Sequence, residues 1–210
     1  MVKRAVLAVL LLASLTACEG PESDRATAPA PPLSSADRYD NHFIKWTKTY
    51  FARLVEWQWF KAQAMAESSL NPEAVSPAGA LGLMQIMPAT GEEIAGWLGT
   101  EARFLDPAWS IQAGIYYDRQ LWEKWTSPRP PLERLRWTFA SYNAGFGNIL
   151  KAQKKVRDCD SLKWSCTIRF LPEVTGSHAL ETENYVERIE RYFLDLTKRT
   201  RIVFGISAGF

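Results

Sequence analysis

The chain has 210 residues, of which 47% are hydrophobic, with 25 Lys and Arg against 23 Asp and Glu. That length suits one domain with appendages, and the apolar content is enough for a sizeable core. The formal balance of +2 excludes a protein drawn onto nucleic acid or another anionic polymer by bulk charge.

Lys3 and Arg4 form a basic start, and Ala5 to Leu12 is an apolar run. It is too short for a membrane span of about 20 residues and reads as an export signal. It ends in Leu15-Thr16-Ala17-Cys18, which resembles the bacterial lipobox. The resemblance implies cleavage before Cys18 and acylation of that cysteine, and multiple acyl chains anchor a protein stably where one does not. Cleavage removes Lys3 and Arg4 and no acid, so the balance falls to 23 − 23 = 0. Glu19 in place of aspartate after the cysteine favours the outer membrane, facing the periplasm of a Gram-negative cell. We read residues 1–17 as the leader, 18–38 as a linker and 39–210 as the folded domain. The linker holds Pro21, Pro29, Pro31 and Pro32 with no apolar periodicity, the composition of extended chain that does not pack.

Helical spacing starts near Tyr39, with Trp46, Tyr50 and Leu54 recurring at four, and continues through Trp57, Phe60 and Ala64 to Glu67. Asn71-Pro72 is expected to stop it, because the residue before proline is pushed out of the helical region. Gly79 and Gly82 are free to take positive φ in the loop that follows. Leu83-Met84-Gln85-Ile86-Met87 reads as a strand or extended segment. Pro88 suits a first helical position, with Gly99 as the closing cap. Asp106-Pro107 opens the next helix, to about Trp125. Another runs from Pro131 through Tyr142 and breaks at Asn143-Ala144-Gly145, and a short basic helix follows. The last carries Tyr185, Ile189, Phe193 and Leu196 as one apolar stripe. The nine tryptophans read mostly as core.

Cys159 and Cys166 are an even pair once Cys18 is set aside, and in an exported chain that favours a disulfide. No metal site is expected: two cysteines without matching histidines make half a zinc site, and His42 and His178 lie far apart in sequence. No nucleophilic triad stands out. Glu67 does, as a lone acid in the last turn of an apolar helix, where burial would raise its pKa.

Four segments in order carry a resemblance: Glu67-Ser68-Ser69 with Asn71-Pro72; Ser76-Pro77 through Gly82-Leu83-Met84-Gln85-Ile86-Met87-Pro88; Ser141-Tyr142-Asn143-Ala144-Gly145; and Glu181-Thr182 with Asn184-Tyr185-Val186. Together they resemble the lytic transglycosylases of the soluble Slt type over most of the domain. The resemblance implies a mainly α, lysozyme-like helical domain of the goose-type lysozyme and transglycosylase kind, with a small β element after the catalytic helix. It implies cleavage of the β-1,4 bond between N-acetylmuramic acid and N-acetylglucosamine in peptidoglycan, without a cofactor. Glu67 matches the single acid and base. Ser76, Gln85 and Met87 match residues of the sugar groove, Tyr142 a tyrosine close to the carboxylate with Asn143 beside it, and Glu181 an acidic groove residue. Glu183 departs from the arginine frequent in relatives, and residues 157–178 carry no motif of the family.

Ordinary glycosidases use two carboxyls. Here the nearest acids in sequence, Glu73, Glu92 and Asp106, read as exposed loop or cap charges. The family chemistry needs no second acid. The substrate's N-acetyl oxygen attacks C1 while Glu67 protonates the leaving oxygen. Glu67 then takes the proton of the 6-hydroxyl as that oxygen closes onto C1, giving a 1,6-anhydro end. Two other readings share the residues: a hydrolase like goose-type lysozyme, and a non-catalytic, lipid-tethered peptidoglycan-binding protein. The expected partners are peptidoglycan glycan strands and, through Cys18, a membrane; protein partners are not legible.

Overall fold

The computed structural model describes residues 37–203. The leader, Cys18 and nearly all of the linker lie outside the described residues. The domain is built of helices: α1 (Asp40–Phe51), α2 (Gln58–Ser68), α3 (Pro88–Leu98), α4 (Pro107–Lys124), α5 (Pro131–Ala144), α6 (Phe146–Lys155), α7 (Trp164–Thr167), α8 (Pro172–Thr175) and α9 (His178–Val203). α7 runs through a 3-10 turn into α8. Among the described residues the β structure consists of two isolated antiparallel bridges, Val75 to Leu81 and Leu81 to Ile86.

α2 is the axis of the fold. Phe60, Lys61, Ala62, Gln63 and Ala64 are buried in succession, so the helix is enclosed around its circumference rather than packed on one stripe. It lies against α9 and α1. Trp59 stacks on Phe193 of α9 at 3.7 Å between ring centres, and Phe60 meets Phe139 of α5 edge-on. Lys61 is buried inside this shell. Its ammonium is bound to Asp40 at the start of α1 and lies 4.0 Å from Asp37, so the charge is carried into the core only with its partner.

The single long run expected from Tyr39 to Glu67 is two helices. Ala52 takes φ +53° and closes α1, and the chain turns back so that Phe51 and Phe60 meet at 4.9 Å. The spacing persists across the break because both helices bury onto one core. Leu54, placed on the same stripe from sequence, is exposed. α2 also ends before Asn71-Pro72. Ser69 and Leu70 adopt left-handed φ of +55° and +63°, and Asn71 Oδ1 accepts from Glu73 N–H in a local turn.

The start of α3 at Pro88, its cap at Gly99, and the Asp106-Pro107 start of α4 appear as expected. The side chain of Asp106 accepts from Ala108 N–H at 3.0 Å. Leu83 to Met87 is not a strand. It is a turn carrying Gln85 at φ +47°, and its apolar residues are there to plug the core: Leu83 and Met84 are wholly buried. Residues 157–178 are part of the domain rather than an addition, since Trp164 and Leu171 join the central cluster. Most tryptophans are buried or packed on that core, and Trp97 is half exposed.

Cys159 and Cys166 are joined, with Cα atoms 6.1 Å apart, just before and within α7. A closed loop this small is worth roughly 2–3 kcal/mol on the chain-entropy view. In protein exported to an oxidising compartment, both residues should resist alkylation until reduced. Mass spectrometry that finds two alkylated thiols without reduction would exclude the bond.

Candidate active site

Glu67 is the next-to-last residue of α2, and the helix end is tied to the loop it faces. Ser68 Oγ reaches the carbonyls of Ala64 at 3.3 Å and Leu83 at 2.9 Å. The loop from 71 to 87 then holds itself together. Ser76 N–H donates to Ala80 O, and Ala80 N–H donates to Ser76 Oγ, both at 2.9 Å. Gln85 Nε2 donates to the carbonyls of Gly82 and Ala74 at 2.9 and 3.2 Å. Met84 N–H donates to Ser110 Oγ of α4 at 3.2 Å. Ser76 and Gln85 thus shape the loop through hydrogen bonds made within it. Met87, exposed at the start of α3, offers its side chain to solvent.

The acid is half-buried, and its oxygens are not left to water alone. Tyr185 of α9 donates its hydroxyl to Glu67 Oε1 at 2.5 Å. Burial pushes the Glu67 carboxyl up from 4.5 to about 7, against the Tyr185 hydrogen bond and the Arg188 guanidinium, which favour the ionised form; Glu181 adds a smaller push upward. An acid at about 7 exchanges a proton readily near neutrality, the property a general acid and base requires. Tyr142 of α5 donates to Met84 O at 2.8 Å and lies edge-on to Tyr117 of α4 at 5.4 Å. It anchors the loop rather than the acid, although the charge of Glu67 acts on it. Burial chiefly, then Glu67, pushes the hydroxyls of both Tyr142 and Tyr185 well above the ordinary tyrosine range.

Asn143 Oδ1 accepts from Thr182 Oγ1 at 2.8 Å, joining α5 to α9. Both line a cleft of about 360 Å³ with Asn148, Val174, His178 and Glu181. Glu181 is exposed at its edge, 3.8 Å from His178 Nδ1. Glu183 faces a different cleft, shared with Arg136, Trp164 and Arg169, so its departure from the family pattern falls away from Glu67. Among the described residues no group of His, Cys, Asp or Glu could hold a metal ion, and no helix is long and apolar enough to cross a membrane.

Sequence reading missed Tyr185, Arg188, Gln63 and Asp118. Tyr185 was placed on the apolar stripe of α9, yet a buried tyrosine hydroxyl needs a partner. Asp118 sits on the buried stripe of α4 with Ile111, Ile115 and Leu121. An acid at a core position of a helical period is the signal for it, and its charge and that of Glu67 act on each other although the two are far apart in sequence. Replacing Tyr185 by Phe removes a hydrogen bond that favours ionised Glu67. The Glu67 titration, followed by carboxyl NMR, should rise by about one pH unit; no rise would mean the hydroxyl does not act on the acid.

The site is thus a carboxyl at a helix end, held near neutral pH by burial and bound by Tyr185, with the 71–87 loop tied to the same helix end through Ser68; the cleft of Asn143 and Glu181 is lined by other residues. The chain belongs to the transglycosylase SLT domain family, whose model matches residues 43–165. It is 36% identical over 159 residues to the membrane-bound lytic murein transglycosylase F of Serratia proteamaculans, covering 70% of this chain and 32% of that protein. It is 34% identical over 155 residues to the protein of the same name in Yersinia enterocolitica, covering 68% of this chain and 31% of that one. The chain therefore spans about a third of the length of the curated relatives it matches. Among solved structures it is similar to the 70 kDa soluble lytic transglycosylase of Escherichia coli, with a TM-score of 0.59 and 25% identity, covering 74% of this chain and 23% of that one. The lytic transglycosylase Slt of Pseudomonas aeruginosa, solved as an inactive mutant, matches with a TM-score of 0.62 and 22% identity, over 79% of this chain and 25% of that one. The mainly α, lysozyme-like fold is thus shared with the Slt enzymes.

Proposed function

We propose that this chain is a lytic transglycosylase that cleaves the β-1,4 bond between N-acetylmuramic acid and N-acetylglucosamine of peptidoglycan and leaves 1,6-anhydromuramyl ends. The observation that carries the reading is the Glu67 carboxyl, held at about 7 by burial and bound by Tyr185. Membership of the SLT family supplies the substrate class.

In this reading Tyr185 holds Oε1, and Oε2 delivers the proton to the leaving oxygen. As the N-acetyl oxygen of the substrate bonds to C1, Glu67 becomes a carboxylate, stabilised by the Tyr185 hydrogen bond and by Arg188. It then removes the proton of the 6-hydroxyl, whose oxygen bonds to C1 as the N-acetyl oxygen leaves. Glu67 ends protonated, and no water is consumed. The loop of Ser76, Gln85 and Met87 forms one side of the sugar groove, with Ser76 at the muramyl N-acetyl group. Tyr142 fixes that loop against α5, and Asn143 and Glu181 face the glycan from the cleft.

Digestion of peptidoglycan in ¹⁸O-labelled water separates the readings. The products should be anhydro-ended and carry no label. Label at C1 of reducing ends would instead make the chain a hydrolase like goose-type lysozyme, and binding without either product would make it a peptidoglycan-binding protein.

The lipobox supports a chain lipid-anchored through Cys18 in the Gram-negative envelope, at the outer membrane and facing the periplasm. Cys18→Ala should move the protein out of the membrane fraction into a soluble or uncleaved pool. A cleaved variant that still fractionates with membranes would overturn the anchor.

A further inference from the structure

One buried pair of polar side chains has no part in the reaction so far. Gln63 lies one turn before Glu67 on α2, and Asp118 meets it from α4; both are fully buried. Gln63 Nε2–H donates to Asp118 Oδ1 at 3.3 Å. Each residue has one more oxygen, Gln63 Oε1 and Asp118 Oδ2, and each of these is buried with no hydrogen-bond partner. Two orphaned buried acceptors are a costly arrangement. An amide and a carboxyl are planar groups with two polar atoms each, so a pair already joined by one bond has the shape to close a second. A single proton on Oδ2, donated to Oε1, satisfies both at once.

We propose that Gln63 and Asp118 close into an acid–amide ring, Nε2–H to Oδ1 and Oδ2–H to Oε1, and that this ring is an uncharged positioning pair for Glu67. The proposal rests on the reading of Glu67 as the acid. The surroundings support it from every side. Burial pushes the Asp118 carboxyl well up, and the neighbouring charge of Glu67 pushes it the same way, while the Gln63 hydrogen bond alone pulls against them. The titratable groups that feel Asp118 in turn are Tyr117 on its own helix, Tyr142 on α5 and Tyr185 on α9. Glu67 is placed differently: it keeps some exposure to solvent, Tyr185 donates to it, and the Arg188 charge favours its ionised form. Of two neighbouring carboxyls, one is built to lose its proton and the other to keep it.

The consequence is electrostatic. Two like charges side by side in a site of low polarity disfavour each other, so an ionised Asp118 would hold the proton on Glu67 too tightly for it to be released. An acid–amide ring presents a wall without charge and leaves Glu67 the only carboxyl of the two that titrates near neutrality.

The test uses the full chain with ¹³C-labelled Asp and Glu carboxyls. One Asp resonance should stay at the protonated position up to about pH 8, far above the ordinary Asp range, and should be missing in Asp118→Asn. Ionisation of that resonance below about pH 6 would overturn the ring. Gln63→Glu supplies the functional arm. Two carboxyls sharing one proton carry a charge near neutrality, so the Glu67 titration should move up by at least about half a pH unit. A Glu67 titration that does not move would overturn the positioning role. Asp118→Asn tests the neutrality of the ring independently of Gln63→Glu. Exchange of one neutral group for another leaves the Glu67 titration in place, whereas a fall of about one pH unit would mean that a charge had been removed and the ring was never neutral. None of these readouts uses turnover, so ¹⁸O-labelled reducing ends would sink the transglycosylase reading and leave the ring standing.

Discussion

Glu67→Gln is expected to fold as the wild type does and to release muropeptides more slowly by at least about 10²–10⁴-fold, the usual worth of a positioned general acid. Glutamine keeps the shape of the side chain, and its amide oxygen can still accept from the Tyr185 hydroxyl. What it lacks is a transferable proton. In the proposed mechanism one residue acts first as acid and then as base, so both halves of the reaction fail together; of the nearby carboxyls, Asp118 is fully buried and bound by Gln63, and Glu181 stands exposed at the cleft edge. The wild-type rate should also fall as pH rises through about 7, since in the proposed mechanism protonated Glu67 starts the reaction. Turnover by the variant within tenfold of wild type on purified peptidoglycan would remove Glu67 from the role.

Gly82→Ala is expected to disrupt the loop opposite the acid. Gly82 has φ +74°, and a Cβ built there would lie 2.0 Å from the carbonyl oxygen of Phe104. That atom is backbone and cannot rotate away. Left-handed strain costs on the order of 1 kcal/mol and overpacking adds 1–3, so a loss of roughly 3 kcal/mol is expected. For a domain of this size that is a fall of roughly 6–12 °C in Tm. The damage is local in origin, because Gly82 N–H is bound to Ala74 O and Gly82 O accepts from Gln85. Activity should therefore drop below what the fraction folded explains. Gly79→Ala is the control: it shares the positive φ, but its Cβ would meet nothing within 4 Å. Equal losses in the two variants would mean that the contact with Phe104 is not what requires glycine.

The parts of the fold that punctuation residues control were legible in the chain. Pro88, Gly99 and Asp106-Pro107 act through their own backbone and side-chain chemistry, and each sits where that chemistry places it. The break at Ala52 was not legible, because no proline or glycine marks it and the packing of Phe51 on Phe60 decides it. Leu83 to Met87 misled for a related reason. A short apolar run has the same composition whether it lies in a strand or plugs a core from a turn, and only the hydrogen bonds to Ser110 and Tyr142 distinguish the two.

The site divides in the same way. Glu67 was legible as an acid whose setting is apolar, and the family motif pointed to the loop residues around it. Tyr185 was legible as part of a motif and of an apolar stripe but not as a partner of the acid, and Asp118 lies too far along the chain from Glu67 for sequence to join them. Both are core, and both act on Glu67 from there. Ser76 and Gln85 carry motif positions, but the motif could not say that their hydrogen bonds fix the loop itself. Those arise from backbone carbonyls and amides, which leave no trace in residue type.

Keeping Glu67 protonated also couples folding to proton uptake. The unfolded side chain ionises near 4.5 and the folded one near about 7, so between those values the chain binds a proton as it folds. The native state gains fully from this below 4.5, and the gain is lost as pH rises through about 7. The difference amounts to about 3 kcal/mol, a sizeable part of the 5–15 kcal/mol that holds an ordinary domain together. A carboxyl kept protonated by burial is thus a standing liability: in mildly alkaline surroundings its ionisation takes stability from the whole fold.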